Sequence, residues 1–302
     1  MRAFFLFLSR QKHLRSWMET SPIARRLATR FVAGETLDDA LAVATKLNSE
    51  GITVTLDHLG ESVTSLDEAA AARDVYLHTL DAIHDKGIQG NVSLKLTQFG
   101  MDLSYDQALA NVEQLVRRAK EVDSFVRVDM EASEYTDRTL SVVNELFARH
   151  RPVGVVIQAY LMRSRADIER LNASGIRVRL CKGAYLEPPT VAFPDKADVD
   201  RSFHQLAELL LEKGVYPAIA THDEAIIEQV KRFADSRKLA RDCFEFQMLY
   251  GIRRDLQRKL VGEGWRLRLY VPFGRAWYPY YMRRLAERPA NVLFMLRNLF
   301  RN

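Results

Sequence analysis

The sequence is poor in several features that define whole classes of protein. It has only two cysteines, Cys181 and Cys243, so we expect no disulfide framework and a reducing, cytoplasmic location. Its 14 glycines and 9 prolines are too few for a collagen-like or low-complexity chain. It also lacks any run of about 18 apolar residues, the length that a membrane-spanning helix needs.

The excess of basic over acidic residues is small as well. The chain has 44 basic and 39 acidic residues, a formal net charge of +5. Its paired arginines are scattered, whereas a nucleic-acid binder gathers basic residues into one stripe. We therefore expect no nucleic-acid partner and favour a small anionic substrate.

The first residues combine a short apolar run, residues 4–8, with basic residues on both sides. The run is too short for a secretory signal and has no small-residue cleavage site, so we expect no signal peptide. Such a segment could lie at an anionic lipid surface, or it could be a helix end packed against the rest of the protein. The sequence leaves both interpretations open.

From residue 51 onwards, short runs rich in β-branched residues alternate with amphipathic helical stretches. The predicted strands are Ile52–Leu56, Asn91–Leu96, Phe125–Asp129, Val153–Ala159, Ile176–Cys181, Tyr216–Thr221, Cys243–Leu249 and Leu267–Val271. Eight such β-then-α units are the number in a (β/α)₈ or TIM barrel. We predict an α/β protein with a barrel at 50–302 and a helical segment at 1–49. The alternative is an open doubly wound sheet, although GxGxxG and GxxxxGK[ST] motifs are missing.

Local signals place helix ends around these strands. Ser21-Pro22 and Thr36 are each typical of a helix start. Longer helices are predicted at Ser65–His84, Tyr105–Val122, Asp137–Arg149 and Ala197–Lys213. Four glycines are predicted to end helices before strands, namely Gly51, Gly154, Gly175 and Gly214.

Four predicted strands carry polar residues where a parallel barrel should be apolar. Lys95, Asp129, Gln158 and Arg179 each alternate with aliphatic neighbours. Because side chains alternate along a strand, these four should face the lumen near the carboxyl ends, where barrel active sites lie. Buried charges must pair with each other or with a charged ligand. A purely structural ion-pair network is the alternative.

Other candidates stand near later strand ends. Arg283-Arg284 could grip a carboxylate with forked donors, or could be a solvated helix face. Tyr185 and Tyr270 could line a ligand or simply pack at the rim. His222 has no histidine four residues away and no cysteine nearby, so we predict no metal site.

These strand ends together resemble the proline dehydrogenase family in its short bacterial form. The segments that carry the resemblance are Ser93–Leu96, Val128–Glu131, Val156–Tyr160, Val178–Tyr185, Ala220–His222, Phe244–Gly251, Tyr270–Gly274 and Tyr281–Leu285. Each is weak alone, but eight in the same order make the resemblance specific. It implies a distorted barrel that binds FAD non-covalently, oxidises L-proline to Δ1-pyrroline-5-carboxylate and passes electrons to a membrane quinone. That acceptor implies peripheral membrane contact on the cytoplasmic side.

The resemblance also implies roles for individual residues. Asp129 and Arg179 match active-site positions, with Arg179 along the flavin near N5 and Asp129 supporting the charge network. The positions that match substrate contacts are Lys95, Tyr185, Leu249, Tyr270, Arg283 and Arg284. The positions that match flavin contacts are Met130, Gln158, Lys182, Gly183, Ala184, Thr221 and His222. Relatives often have alanine where this chain has Met130, so only a backbone contact is expected there.

Two other functions fit the same barrel. One is a Schiff-base aldolase with Lys95 or Lys182 as nucleophile, because desolvation and nearby cations lower a lysine pKa. The other is a non-catalytic barrel that binds an anion. Flavin absorbance would exclude the first, and turnover with an artificial electron acceptor would exclude the second.

Overall fold

All eight predicted strands are present, and they pair in chain order into one closed parallel barrel. The computed structural model describes residues 28–287, together with Met18 and Ser21, and side chains as far as Met282. The strands are β1 Thr53–His58, β2 Gly90–Leu94, β3 Val126–Val128, β4 Val153–Gln158, β5 Val178–Cys181, β6 Ala218–Ala220, β7 Glu245–Leu249 and β8 Leu267–Phe273. The predicted barrel is confirmed, and the open-sheet alternative is wrong.

Helices separate consecutive strands and form the outer layer. They are α1 Leu37–Ser49, α2 Leu66–Asp85, α3 Tyr105–Glu121, α4 Thr136–His150, α5 Ser164–Ser174, α6 Lys196–Lys213, α7 Glu224–Ser236, α8 Arg254–Gly262 and α9 Trp277–Glu287. Short 3₁₀ helices follow β2 and β3, at Leu96–Phe99 and Ser133–Tyr135. Among the residues described, no helix is long and apolar enough to cross a membrane.

The helix predicted to begin at Thr36 is confirmed as α1. The Thr36 hydroxyl accepts a hydrogen bond from the Asp39 N–H at 3.2 Å, and the Asp39 carboxylate accepts one from the Thr36 N–H at 3.0 Å. This reciprocal capping satisfies two N–H groups that a helix start leaves open. α1 packs against both β1 and β8, which gives the barrel an extra N-terminal helix. The helix start predicted at Ser21-Pro22 falls largely outside the described residues.

One predicted glycine role is wrong. Gly51 and Gly175 do follow α1 and α5 with φ of 78° and 77°, but Gly154 lies inside β4, paired with Arg127. A Cβ on Gly154 would come within 2.5 Å of the Arg177 carbonyl oxygen and 2.9 Å of Arg127 Nη1. Glycine is therefore needed there, chiefly because the backbone carbonyl of Arg177, just before the neighbouring strand β5, leaves no space for a Cβ.

The register of the strands decides which side chains enter the lumen. Ser93 pairs with Arg127, and Arg179 pairs with Ala218, so these residues share the inward face. Alternate residues on the same strands, such as Val92 and Val128, are completely buried in the core beneath the helices. The lumen is consequently polar while the layer outside it is apolar.

A second apolar cluster covers the carboxyl end of the barrel. Trp277, Tyr278 and Tyr281 of α9 pack with Phe31 and with Tyr270 of β8. α9 therefore lies close to the strand ends at which the polar residues converge, and it forms part of the wall of the site.

Candidate active site

Three of the four predicted lumen residues, Lys95, Asp129 and Arg179, come together at the carboxyl end of the barrel. Lys95 directly follows β2, and Asp129 directly follows β3, where its N–H donates to the Leu94 carbonyl at 2.8 Å. Arg179 Nη1 contacts Asp129 Oδ1 at 2.8 Å, and Lys95 Nζ lies 3.8 Å from Asp129 Oδ2. One carboxylate thus faces two cations contributed by different strands.

Asp129 is further held by two hydroxyl donors. Ser93 Oγ donates to Asp129 Oδ1 at 2.6 Å, and the Tyr270 hydroxyl donates to Oδ2 at 3.1 Å. The Arg179 guanidinium also lies over the Tyr270 ring, 5.4 Å from its centroid. Burial and the Asp129 carboxylate raise the pKa of the Tyr270 phenol well above its ordinary value, so this hydroxyl stays protonated.

Lys95 is surrounded by carboxylates, none in close contact. Its Nζ lies 3.4 Å from Glu61 Oε1 and 3.8 Å from Asp57 Oδ2, besides Asp129. Tyr270 Oη is 3.5 Å away. Burial alone would lower the pKa of Lys95, but the carboxylates, Asp57 foremost, raise it above its ordinary value. The ammonium is therefore charged without being locked to one partner.

Asp57 was missed by the sequence analysis. It lies on β1 and is 1% exposed; its Oδ1 is 3.1 Å from the Tyr76 hydroxyl, whereas Oδ2 has no hydrogen-bond partner among the described residues. Burial raises the pKa of Asp57, and Lys95 offsets this only in part. The alternation of Thr53, Thr55 and Asp57 along β1 is the signal that could have found it.

The residues matched by the family model for proline dehydrogenase are 40–297. The chain belongs to the proline dehydrogenase family. It is 43% identical over 282 residues to Proline dehydrogenase from Deinococcus radiodurans, covering 91% of this chain and 90% of the relative. It is 40% identical over 301 residues to Proline dehydrogenase 1 from Bacillus subtilis subsp. natto, covering 100% of this chain and 99% of that one.

A solved structure shows the same barrel. Proline utilization A (PutA) from Bdellovibrio bacteriovorus, inactivated by N-propargylglycine, superposes with a TM-score of 0.82 at 28% identity. The alignment covers 87% of this chain and 32% of the PutA chain. The family and the fold implied by the sequence resemblance are therefore both confirmed.

Gln158, the fourth predicted lumen residue, does not join the charged group. In this proline dehydrogenase family member, its side chain bridges two strand-end segments: Nε2 donates to the Glu131 carbonyl at 2.9 Å, and Oε1 accepts from the Ala184 N–H at 3.4 Å. It is 2% exposed. Met130, beside Glu131, is buried in the apolar core.

The segment after β5 carries three further candidates. Lys182 Nζ contacts Asp200 Oδ1 at 2.6 Å and Asp223 Oδ2 at 3.1 Å. Burial would raise the pKa of Asp223, but its hydrogen bond with Lys182 outweighs burial and lowers it. Gly183 has φ of 115°, and a Cβ there would lie 2.3 Å from the Tyr160 ring. Only glycine fits this approach.

Two candidates stand after β6 and one ends β7. Thr221 is buried, and its hydroxyl accepts a hydrogen bond from the Asp223 N–H at 3.1 Å. His222 Nε2 accepts a hydrogen bond from the Leu249 N–H at 2.8 Å. This occupies one ring nitrogen of His222 and fixes the end of β7 beside it.

Arg283 and Arg284 lie in α9, the helix at the carboxyl end of the barrel. Their side chains are outside the described part of the chain, so their contacts stay a prediction. Among the described residues, no three or more His, Cys, Asp or Glu side chains are grouped so that they could bind a metal ion.

Proposed function

We propose that this protein is an FAD-dependent proline dehydrogenase that oxidises L-proline to Δ1-pyrroline-5-carboxylate. The observation that carries the proposal is the meeting of Lys95, Asp129, Arg179 and Tyr270 at the carboxyl end of the barrel in a member of this family. Barrel enzymes build their active sites at this end.

The substrate carboxylate would bind Lys95. This ammonium is charged and buried, yet its nearest carboxylates lie at 3.4–3.8 Å, so a substrate carboxylate can compete for it. We propose that Arg283 and Arg284, which are adjacent in α9, bind the same carboxylate. Tyr185, Leu249 and Tyr270 would line the ring.

The described residues fit a flavin on the inner side of this site. Arg179 is buried, its Nη1 binds Asp129, and its Nε has no hydrogen-bond partner among the described residues, which leaves a donor for a ring nitrogen or carbonyl. When bound, FAD would supply the hydride acceptor for the substrate. We propose that FAD is held by Arg179 and by the residues of the predicted set, Met130, Gln158, Lys182, Gly183, Ala184, Thr221 and His222.

The chain's own residues would then orient the substrate and exclude water. Lys95 and the α9 arginines would fix the carboxylate, and Asp129 would keep Arg179 in place. The substrate amine must lose its proton before hydride transfer. His222 is not available as its base through Nε2, because that nitrogen accepts the Leu249 N–H. We propose that solvent takes the proton.

The Schiff-base alternative is disfavoured by the electrostatics. A nucleophilic lysine needs a neutral amine near pH 7, but the surrounding carboxylates raise the pKa of Lys95 above its ordinary value. Lys182 Nζ contacts the carboxylates of both Asp200 and Asp223, and it would have to leave them before it could attack a substrate.

We further propose that the electrons pass to a membrane quinone and that the protein works in the cytoplasm with peripheral membrane contact. The resemblance stated above and the basic, apolar first residues support this; those residues fall outside the described part. Deleting residues 1–9 should lower quinone-linked turnover and liposome binding while activity with a soluble dye persists. Loss of both activities together with the melting temperature would show that the segment is structural.

The test of the proposed reaction is the visible spectrum of the FAD-reconstituted protein before and after anaerobic addition of L-proline. We expect flavin absorbance that bleaches with L-proline and persists with D-proline. A colourless protein would contradict the flavin proposal, and a coloured protein that L-proline leaves unchanged would contradict the substrate.

A further inference from the structure

The connection between β5 and α6, residues 182–195, carries Tyr185 at the mouth of the barrel without regular secondary structure. Exposure alternates along its first part. Ala184 and Leu186 are exposed, Leu186 by 70%, whereas Tyr185 and Glu187 are half-buried. Tyr185 and Glu187 are therefore both turned toward the body of the protein.

Glu187 is bound by a residue on a different strand end. The Ser133 N–H donates to Glu187 Oε1 at 2.7 Å, and the Ser133 hydroxyl donates to Oε2. Ser133 opens the 3₁₀ helix that follows β3, four residues after Asp129. Hydrogen bonds to an ionised carboxylate are about twice as strong as neutral ones, and this carboxylate receives two.

We call the two hydrogen bonds from Ser133 to Glu187 the clasp. A second, weaker hydrogen bond lies close to it. The Ala184 N–H reaches Gln158 Oε1 at 3.4 Å on the other side of Tyr185. Tyr185 is thus held between one long hydrogen bond before it and two charge-assisted ones after it. It also lies near Lys95. The clasp consequently connects the end of β3 to a residue near Lys95, the proposed partner of the substrate carboxylate.

We propose that Glu187 is a positioning residue: through its clasp with Ser133 it holds Tyr185 at the mouth of the barrel and thereby sets the affinity for the substrate. This inference rests on the proposed oxidation of proline. With the clasp made, the substrate meets an ordered segment; without it, binding must also order residues 183–190. The cost of that ordering is subtracted from the binding free energy.

The test compares Glu187→Ala with the wild-type protein and with Glu134→Ala. Glu134 is the exposed neighbour of Ser133 and serves as the matched control. In Glu187→Ala we expect the KM for L-proline to rise about tenfold, the loss of a charged hydrogen bond, with kcat changed less than about twofold. Glu187→Gln keeps one acceptor oxygen, and Ser133→Ala keeps the backbone donor, so both should give intermediate KM values. Glu134→Ala should match the wild type.

Amide hydrogen exchange provides a readout that does not need turnover. Exchange at residues 183–190 should accelerate in Glu187→Ala while the melting temperature stays within about 2 °C, because the clasp is local. An unchanged KM, or unchanged exchange, would overturn the inference, as would a KM that rises only with a large fall in melting temperature. If the wild-type protein does not oxidise proline, the proposed function fails, whereas the exchange comparison still shows whether the clasp orders the segment.

Discussion

Two buried carboxyl groups at opposite ends of one barrel have pKa values displaced in opposite directions. Burial is the largest single influence on both groups, and it raises the pKa of each. At Glu245, near the amino ends of the strands, the Arg268 guanidinium outweighs burial, and the pKa of Glu245 falls below its ordinary value. At Asp57, near the carboxyl ends, Lys95 offsets burial only in part, and the pKa of Asp57 is raised. The two ends of the lumen therefore differ in how completely their charges are paired.

The floor of the barrel, defined here as Arg127, Glu245 and Arg268, is closely paired. Arg268 Nε donates to Glu245 Oε1 at 2.8 Å, and Arg268 Nη1 donates to the Val54 carbonyl at 2.7 Å. Arg127 Nη1 donates to the Arg177 carbonyl at 2.8 Å. A ligand would have to break these short hydrogen bonds in order to bind at the floor.

The mouth, defined as Asp57, Lys95, Asp129 and Arg179, is incompletely paired. All the carboxylates around Lys95 stand at 3.4 Å or more. Asp57 Oδ2 and Arg179 Nε have no hydrogen-bond partner among the residues described, but neither has Arg127 Nε at the floor, so the distances around Lys95 carry the comparison. Because the ammonium of Lys95 has no described carboxylate closer than 3.4 Å, whereas Arg268 contacts Glu245 at 2.8 Å, we assign stability to the floor and propose that the mouth binds the ligand.

The largest effect should come from breaking the floor. Arg268→Met removes the ion-pair partner of the buried Glu245, which keeps the hydrogen bonds from Tyr216 and Gln247, so the free energy of unfolding should fall by about 3–5 kcal/mol. Urea unfolding at pH 7 measures it. Arg258→Met, at an exposed position of α8, is the control and should change the free energy by less than about 0.5 kcal/mol. Equal stability of the two variants would contradict the assignment.

The same variant gives a pH test. Glu245 has a lowered pKa, so it contributes stability that is present above its ordinary value of 4.5 and is lost as the pH falls. In Arg268→Met, burial is opposed mainly by Gln247 and Arg127, so the pKa of Glu245 rises and Glu245 protonates more readily. The stability difference between wild type and Arg268→Met should therefore narrow as the pH falls from 7 toward 4. A difference that does not depend on pH would mean that Glu245 is not the affected group.

Substitutions at the mouth and in α9 should instead lower the activity. If Lys95, Arg283 and Arg284 bind the substrate carboxylate as proposed, replacing each with Met would remove a charged contact worth about 1.5–3 kcal/mol, so kcat/KM for L-proline should fall roughly 10- to 150-fold with flavin still bound. Steady-state kinetics with a soluble dye measure this. Unchanged kcat/KM in the α9 variants would place Arg283 and Arg284 on a solvated helix face.

Replacing Asp57 should change the stability less than replacing Arg268 does, and in the opposite direction. Its raised pKa means that stability is lost as the pH rises above the ordinary value of 3.8. Asp57→Asn removes that loss, so the variant should melt at or above the wild-type temperature at pH 7, and any advantage should vanish toward pH 4. Glu245→Gln should melt below the wild type at pH 7. Parallel behaviour of the two variants would contradict the comparison.

Much of the mouth could be predicted because alternation along a strand is a local signal. Lys95, Asp129 and Arg179 each stand out from aliphatic neighbours. The same signal was available for Asp57 and Arg268 but was not used there. The glycine signal for a helix end is wrong at Gly154, because a glycine inside a strand that leaves space for the Arg177 carbonyl looks the same in the sequence.

Other features depend on closure of the barrel and leave no local pattern. Ser133 and Glu187 are 54 residues apart, one in a 3₁₀ helix and the other in an irregular segment, and the two meet only when the strands are in register. Glu61 reaches Lys95 from the segment after β1, which has no periodicity. Contacts between loops are set by the whole fold, so one sequence cannot predict them.

The most direct test of the central claim is the affinity for cyclopentanecarboxylate, which has the ring and carboxylate of proline but no amine to oxidise. Its dissociation constant can be measured from the flavin spectrum of wild type, Lys95→Met and Glu245→Gln. The account predicts binding about 10- to 150-fold weaker in Lys95→Met and within about twofold of wild type in Glu245→Gln, because only the mouth contacts the ligand. Equal affinities in all three proteins, or a loss confined to Glu245→Gln, would contradict it.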